Sequence, residues 1–260
     1  MNIEEKKRIV IKLGTSTLAH KTGRLNIRRV EKLVKVIADI KNSGRDVLLV
    51  SSGAIGLGMG KLGLIKRPTD TPSKQACAAV GQCELMYMYD KLFGEYNLVV
   101  AQLLLTKYVL LEERRQNVEN AIEELLSRGV IPVVNENDTV AIDELELEMG
   151  ENDSLAATVA SIAKADLLII LSDIDGLYDK NPKTCPDAKL ISVVNEITDE
   201  IRLGAQGSSG ALGSGGMKTK LNAAQIAMNA GIDMVILNGR EPDVLYDLLE
   251  GKETGTLFKA

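Results

Sequence analysis

Lys12 closes a short apolar run and is followed by Leu13-Gly14-Thr15-Ser16. A lysine supplies a point charge and a glycine lets backbone amides come close, so the segment suits phosphate oxygens. A surface lysine at an ordinary strand-to-turn transition has the same spelling, and spacing does not choose between them. A second apolar run ends in Ser51-Ser52-Gly53-Ala54-Ile55-Gly56-Leu57-Gly58. Small residues there expose helix-start amides to an anionic group, or simply permit a helix to pack tightly on a strand. Near the far end, Ser214-Gly215-Gly216-Met217-Lys218-Thr219-Lys220 opens an amphipathic stretch. Glycines, two lysines and a hydroxyl at a helix start suit a polyphosphate; a flexible linker is the plainer reading. The segment is not a P-loop, because Met217 stands where glycine must precede Lys-Thr.

Two further clusters combine carboxamides with carboxylates: Asn135-Glu136-Asn137-Asp138, and Glu151-Asn152-Asp153 ahead of a helix expected at Ser154. The first reads as a polar turn, and in the second Asn152 or Asp153 would serve as an N-cap. Bracketing a short acidic insert, the two together suggest a grip on an amino group. Ser172-Asp173 follows another apolar run. His20 is the sole histidine and lies in a polar loop, which removes Ser-His-Asp, Cys-His and His-metal chemistry from consideration. Phosphoryl transfer needs no side-chain nucleophile, since positioning, lysines and Mg²⁺ do the work. A carboxylate acceptor is already ionised and needs no general base.

These residues need a scaffold that brings distant loops to one edge. Strands are expected at Arg8 to Leu13, Asp46 to Ser51, Leu98 to Leu105, Ile131 to Asn135, Asp166 to Leu171 and Asp233 to Leu237. Several are apolar on both faces, as in a buried parallel sheet. Between them run segments of helical period: Ile27, Val30, Leu33, Val34 and Ile37, capped by Asn26; Val118, Ala121, Ile122, Leu125 and Leu126; and Leu221, Ala224, Ala227 and Met228. The expectation is an α/β fold, a three-layer αβα sandwich around a mostly parallel sheet. No internal repeat or Pro-rich linker divides the 260 residues, so residues 1–260 read as one domain.

Composition narrows the partners. Net charge is −5, with Lys and Arg scattered, so no basic footprint for nucleic acid or an anionic membrane is present. Trp is absent and aromatics are 3%, which leaves little for base stacking. No apolar run reaches the ~20 residues of a bilayer span, and the N-terminus lacks the layout of a secretory signal. Cys77, Cys83 and Cys185 are odd in number and lack metal-ligand spacing; reduced thiols and a cytoplasmic location are expected.

Taken together these motifs resemble the amino acid kinase family, and within it the branch that phosphorylates glutamate. The likeness is nearly colinear: Val10 to Ser16, Ser52 to Ile55, Ser73-Lys74-Gln75 with Ala79-Val80-Gly81-Gln82, Gln102 to Thr106, Pro132 to Asp138, Gly215-Gly216-Met217 with Thr219-Lys220, and Gly255 to Phe258. It implies transfer of the ATP γ-phosphoryl to the side-chain carboxylate of L-glutamate, the first step of proline synthesis. Lys12 and Lys220 would act on the transferring phosphoryl and the leaving group, with Asp153 organising them. Ser52, Asp138 and Asn152, joined by Gly53 and Asn137, would hold glutamate, Asp138 taking the α-ammonium. Gly14, Ser172, Asp173, Ser214, Gly215, Gly216, Met217, Lys218 and Thr219 would meet the nucleotide together with the two lysines. Mg²⁺ would arrive with ATP, not sit in a protein cage. Residues 1–165 would form a glutamate half and 166–260 a nucleotide half. A homo-oligomer and inhibition by L-proline are implied too, and the C-terminal PUA domain of many members is expected to be missing. Glu151 stands where Asp is frequent, Lys218 where Ser is common, and Ser172 where Thr is frequent. Acetylglutamate or aspartate as acceptor, or a silent amino-acid sensor, are the competing expectations.

Overall fold

A computed structural model describes residues 3–20, 22, 24–106, 112–140, 152–182, 184–204 and 216–260. Strands β1 (Arg8–Leu13), β2 (Asp46–Ser51), β3 (Val100–Leu105), β4 (Ile131–Glu136), β5 (Leu167–Ser172), β6 (Val193–Val194), β7 (Asp233–Asn238) and β8 (Thr256–Phe258) form one sheet ordered β3-β4-β2-β1-β5-β7-β8-β6. All pairings are parallel except β7 with β8. From β1 the chain builds outward first through β2, then through β5, so the strand order reverses at β1. Open α/β sheets bind ligands at the carboxyl ends of strands flanking such a reversal.

The side-chain period of two assigns each strand residue to a face. Val10, Leu48, Val50, Val134, Leu168, Ile170 and Ile236 share one core with α5 (Glu112–Ser127), α6 (Asn152–Ile162) and α8 (Met217–Asn229). Ile9, Ile11, Leu13, Leu49, Ile169, Leu171 and Leu237 face the other core. There they meet α1 (Thr15–Leu18), α2 (Ile27–Asn42), α3 (Ala54–Leu62), α4 (Thr71–Gly94) and α9 (Val244–Leu249). A short α7 (Asp199–Gly204) lies outside these layers' centres. The three-layer αβα expectation holds, with the mostly parallel sheet in the middle.

Several expectations shift. The third strand begins at Val100, not Leu98, because Asn97 takes a left-handed φ of 56° and Leu98 N–H returns to the Phe93 carbonyl, closing α4. Asn26 does cap α2, accepting from Arg29 N–H at 3.3 Å, but Ile27 is 60% exposed and leaves the apolar face. Strands β6 and β8 are too short to carry a period, and α4 was not anticipated as a helix. Its apolar residues are spread around the axis because both α3 and the sheet cover it.

The crossing of α3 and α4 explains two glycines. A Cβ on Gly58 would lie 1.8 Å from the Cys77 carbonyl oxygen, and one on Gly81 would lie 1.7 Å from the Ala54 carbonyl oxygen. The opposing atoms are backbone and cannot swing aside. Alanine gains about 1 kcal/mol over glycine in a helix, but overpacking costs about 3 kcal/mol or more where backbone must move. Gly81→Ala, at a net cost of about 2 kcal/mol, is therefore expected to lower the melting temperature by about 4–8 °C, read by thermal denaturation; an unchanged or higher value would show that the two helices separate freely.

Candidate functional site

Lys12 shares its face of β1 with Val10, so its side chain rises toward the α6–α8 layer at the strand's carboxyl end. There the first turn of α6 presents Asp153, which is wholly buried. Lys12 Nζ stands 2.6 Å from Asp153 Oδ1, an ion pair by distance whose approach is off the hydrogen-bonding direction. Lys220, in the first turn of α8, donates to Asp153 Oδ2 at 3.1 Å. Thr219 Oγ1 lies 3.3 Å from the same oxygen and 2.8 Å from the Gly216 carbonyl.

Both lysines are buried, with Lys12 9% and Lys220 4% exposed. Burial pushes the Asp153 carboxyl up, yet the ammonium groups of Lys12 and Lys220 outweigh that and hold it below the usual carboxylate range. The trio sums to one positive charge, from two ammonium groups and one carboxylate. Buried in a low-dielectric interior, that surplus attracts an anion more strongly than the same charge in water.

The loops around this trio interlock. Ser52 N–H donates to the Leu13 carbonyl at 3.0 Å, tying the β2 loop to the β1 loop. Gly53 has φ of 98°, a conformation glycine alone adopts freely, and it stands against Thr15. Gly14 precedes α1 with its Cβ position 3.8 Å from Lys12 Nζ, an ordinary contact distance that sets this backbone beside the ammonium. Gly216 begins α8 without a side-chain cap. Met217 is buried and Lys218 exposed.

Asn137 and Asp138 sit half-buried in the turn after β4, with Asn137 N–H on the Leu105 carbonyl at 2.7 Å. Asn152 Nδ2 donates to the Ser51 carbonyl at 2.8 Å and to Asn135 Oδ1 at 3.0 Å. The helix expected at Ser154 starts two residues earlier, at Asn152. Asp153 is thus a first-turn residue turned onto lysines, and Asn152 is turned onto β2 and β4. Ser172 is buried and Asp173 exposed; both line a cleft of about 300 Å³ with Ser16, His20, Arg29 and Arg240. Lys12, Asp153 and Lys220 are not among the residues lining that cleft. Ser214, Gly215, Glu151 and the 143–151 insert fall outside the described residues.

Sequence reasoning missed the place of Gln82 and Asn135 in this assembly, and the arginines beside Ser172. A buried amide in an apolar helix was the available signal for Gln82. Among the described residues no group of three His, Cys, Asp or Glu side chains is set to hold a metal ion, and no helix is long and apolar enough to cross a membrane.

Comparison with known proteins gives the family and the fold. The model of the amino acid kinase family matches residues 7–238. A glutamate 5-kinase of Clostridium perfringens is 53% identical over 261 residues, covering 99% of this chain and 97% of that one. A glutamate 5-kinase of Listeria innocua is 52% identical over 260 residues, covering 99% and 94%. Among solved structures, UMP kinase from Bacillus anthracis superposes with a TM-score of 0.66 at 20% identity, covering 98% of this chain and 96% of that one. Isopentenyl phosphate kinase from T. acidophilum gives 0.65 at 18%, covering 97% and 100%. At such identities the structures share the fold.

Proposed function

The chain belongs to the amino acid kinase family, and we propose that it transfers the γ-phosphoryl of ATP to the side-chain carboxylate of L-glutamate, giving L-glutamyl 5-phosphate as the first step of proline synthesis. The observation that carries the chemistry is Asp153 holding Lys12 and Lys220, brought from β1 and α8, at the strand-order reversal. The acceptor is supported by the near-full-length relatives named for that substrate.

In this reading a glutamate side-chain oxygen attacks the γ-phosphorus, forming the new O–P bond as the bond to the β,γ-bridging oxygen breaks. Negative charge accumulates on the equatorial oxygens and on departing ADP. Lys12 meets the transferring group and Lys220 the leaving group. Asp153 holds both ammonium groups in place and takes no proton, since the acceptor is already ionised. Asp138 receives the substrate α-ammonium, and Ser52, Gly53, Asn137 and Asn152 complete the acceptor side. Gly14, Gly216, Met217, Lys218 and Thr219, with Ser214 and Gly215, border the nucleotide, and Ser172 and Asp173 flank it. Both carboxylate oxygens of Asp153 face ammonium groups, so Mg²⁺ travels as part of the Mg-ATP substrate. Apart from Lys12, Gly14 and Asp153, the site residues up to about 165 serve glutamate and those from 166 the nucleotide. The working unit is a homo-oligomer in the cytoplasm.

ADP release is measured with Mg-ATP and L-glutamate, N-acetyl-L-glutamate, L-aspartate, UMP or carbamate, each with and without L-proline. Turnover on glutamate alone, lowered by proline, is the expected result. Turnover on another acceptor would reassign the substrate, and silence on all five would leave a sensor in place of an enzyme.

A further inference from the structure

Gln82 projects from α4 and is 9% exposed. Its Oε1 accepts from Asn135 Nδ2 at 2.9 Å. Asn135 Oδ1 accepts from the Glu136 backbone N–H at 2.9 Å and from Asn152 Nδ2 at 3.0 Å. Asn152 Nδ2 also donates to the Ser51 carbonyl at 2.8 Å. Three carboxamides, from α4, β4 and α6, thus form one chain that ends on β2 just before Ser52 and Gly53.

Backbone groups at both ends dictate the polarity. A backbone N–H can only donate and a backbone carbonyl can only accept. Glu136 N–H therefore places the Asn135 oxygen on its own side and leaves Asn135 Nδ2 facing Gln82. The Ser51 carbonyl likewise requires the nitrogen of Asn152 on its side. That nitrogen has two hydrogens, and both are spent, one on Ser51 and one on Asn135. At Gln82 the acceptor oxygen must then face Asn135, which leaves Gln82 Nε2 buried without a partner among the described residues. Turning that amide over would set two N–H groups against each other. Buried unpaired donors are costly and uncommon, so the chain bears one here to keep the order of the relay.

We propose that Gln82 is a positioning residue that, by accepting from Asn135, holds Asn135 and through it Asn152 in the orientation the backbone groups dictate, with the Asn152 acceptor oxygen toward substrate. With Nδ2 committed inward, Asn152 presents Oδ1, an atom suited to an ammonium group. The relay so selects an acceptor substrate that carries a charged amine. This inference rests on the functional reading above, which assigns Asn152 to the glutamate side.

Gln82→Met keeps length and approximate volume but removes the acceptor for Asn135 Nδ2, and Gln82→Glu keeps an acceptor oxygen in either protonation state. Steady-state kinetics on the full chain are expected to show the glutamate KM raised about tenfold or more in Gln82→Met. The ATP KM should stay within about twofold, and Gln82→Glu should recover most of the glutamate affinity. A Gln82→Met enzyme with wild-type glutamate KM, or with both KM values raised alike, would overturn the proposal. If Gln82→Met does not fold, Gln82→Glu decides alone: a glutamate KM within about twofold supports the relay, and a tenfold rise defeats it. Wild-type protein that does not use glutamate would instead defeat the functional reading, and that control is read first.

Discussion

Replacing Asp153 by asparagine is expected to lower turnover about a thousandfold or more and to destabilise the fold by about 3–5 kcal/mol. The side chain keeps its shape but loses the charge between two buried ammonium groups, which then face each other across a neutral amide. Removing one member of a buried charged set costs more than the set contributes, because the partners are left uncompensated. The two ammonium groups repel and are driven apart, which spoils the cradle for a transferring phosphoryl group. The pH dependence has a definite sign. Lys12 and Lys220 hold the folded-state carboxyl below its ordinary value. Its contribution is therefore complete above the unfolded-state pKa of about 4 and disappears as pH falls through the lower folded value. Wild type and Asp153→Asn should differ most in denaturant stability near neutral pH and converge under acid. A gap that widened on acidification would contradict the ion-pair account.

The parts of the molecule that were readable in advance are those governed by local rules. β1 and β2 fall on the residues expected of them because β-branched and leucine runs bounded by charge and glycine have few other solutions. α2 announces itself through Asn26 and through Gly44, whose φ is 95°. Lys12, the glycines after β2 and the α8 start were conspicuous for the same reason: type and spacing within one loop. What was not readable depends on elements distant in sequence. Nothing local in Asn152-Asp153 distinguishes an N-cap from a buried carboxylate holding lysines 141 and 67 residues away, and only the packing of α6 and α8 on the sheet beside β1 brings them together. Gln82 looked like one polar residue in a helix until α4 was laid over the end of β4. Gly58 and Gly81 carry no visible purpose until α3 and α4 cross.

Lys12→Met separates the catalytic from the structural role of the trio. The unbranched thioether follows the path of the lysine stem without its charge. Asp153 retains Lys220 at 3.1 Å and Thr219 at 3.3 Å, so the carboxylate stays paired. The loss of stability should then be clearly smaller than in Asp153→Asn, about 1–2 kcal/mol from one surrendered ion pair and some packing. Activity should fall far more in proportion. A positioned cation that meets charge developing in the transition state is worth about 10²–10³ in kcat. Both KM values should move by no more than a few fold, because such an interaction strengthens mainly as the bond breaks. Lys12→Arg is not a mild control here, since a planar guanidinium cannot occupy the same buried point beside Gly14. The pattern to look for is a stability ranking of wild type, Lys12→Met, Asp153→Asn beside turnover that is low in both variants. A Lys12→Met enzyme with full turnover would remove the lysine from the phosphoryl path. One that was as unstable as Asp153→Asn would make Lys12 the main counter-charge of the core, and Lys220 would then inherit the catalytic assignment.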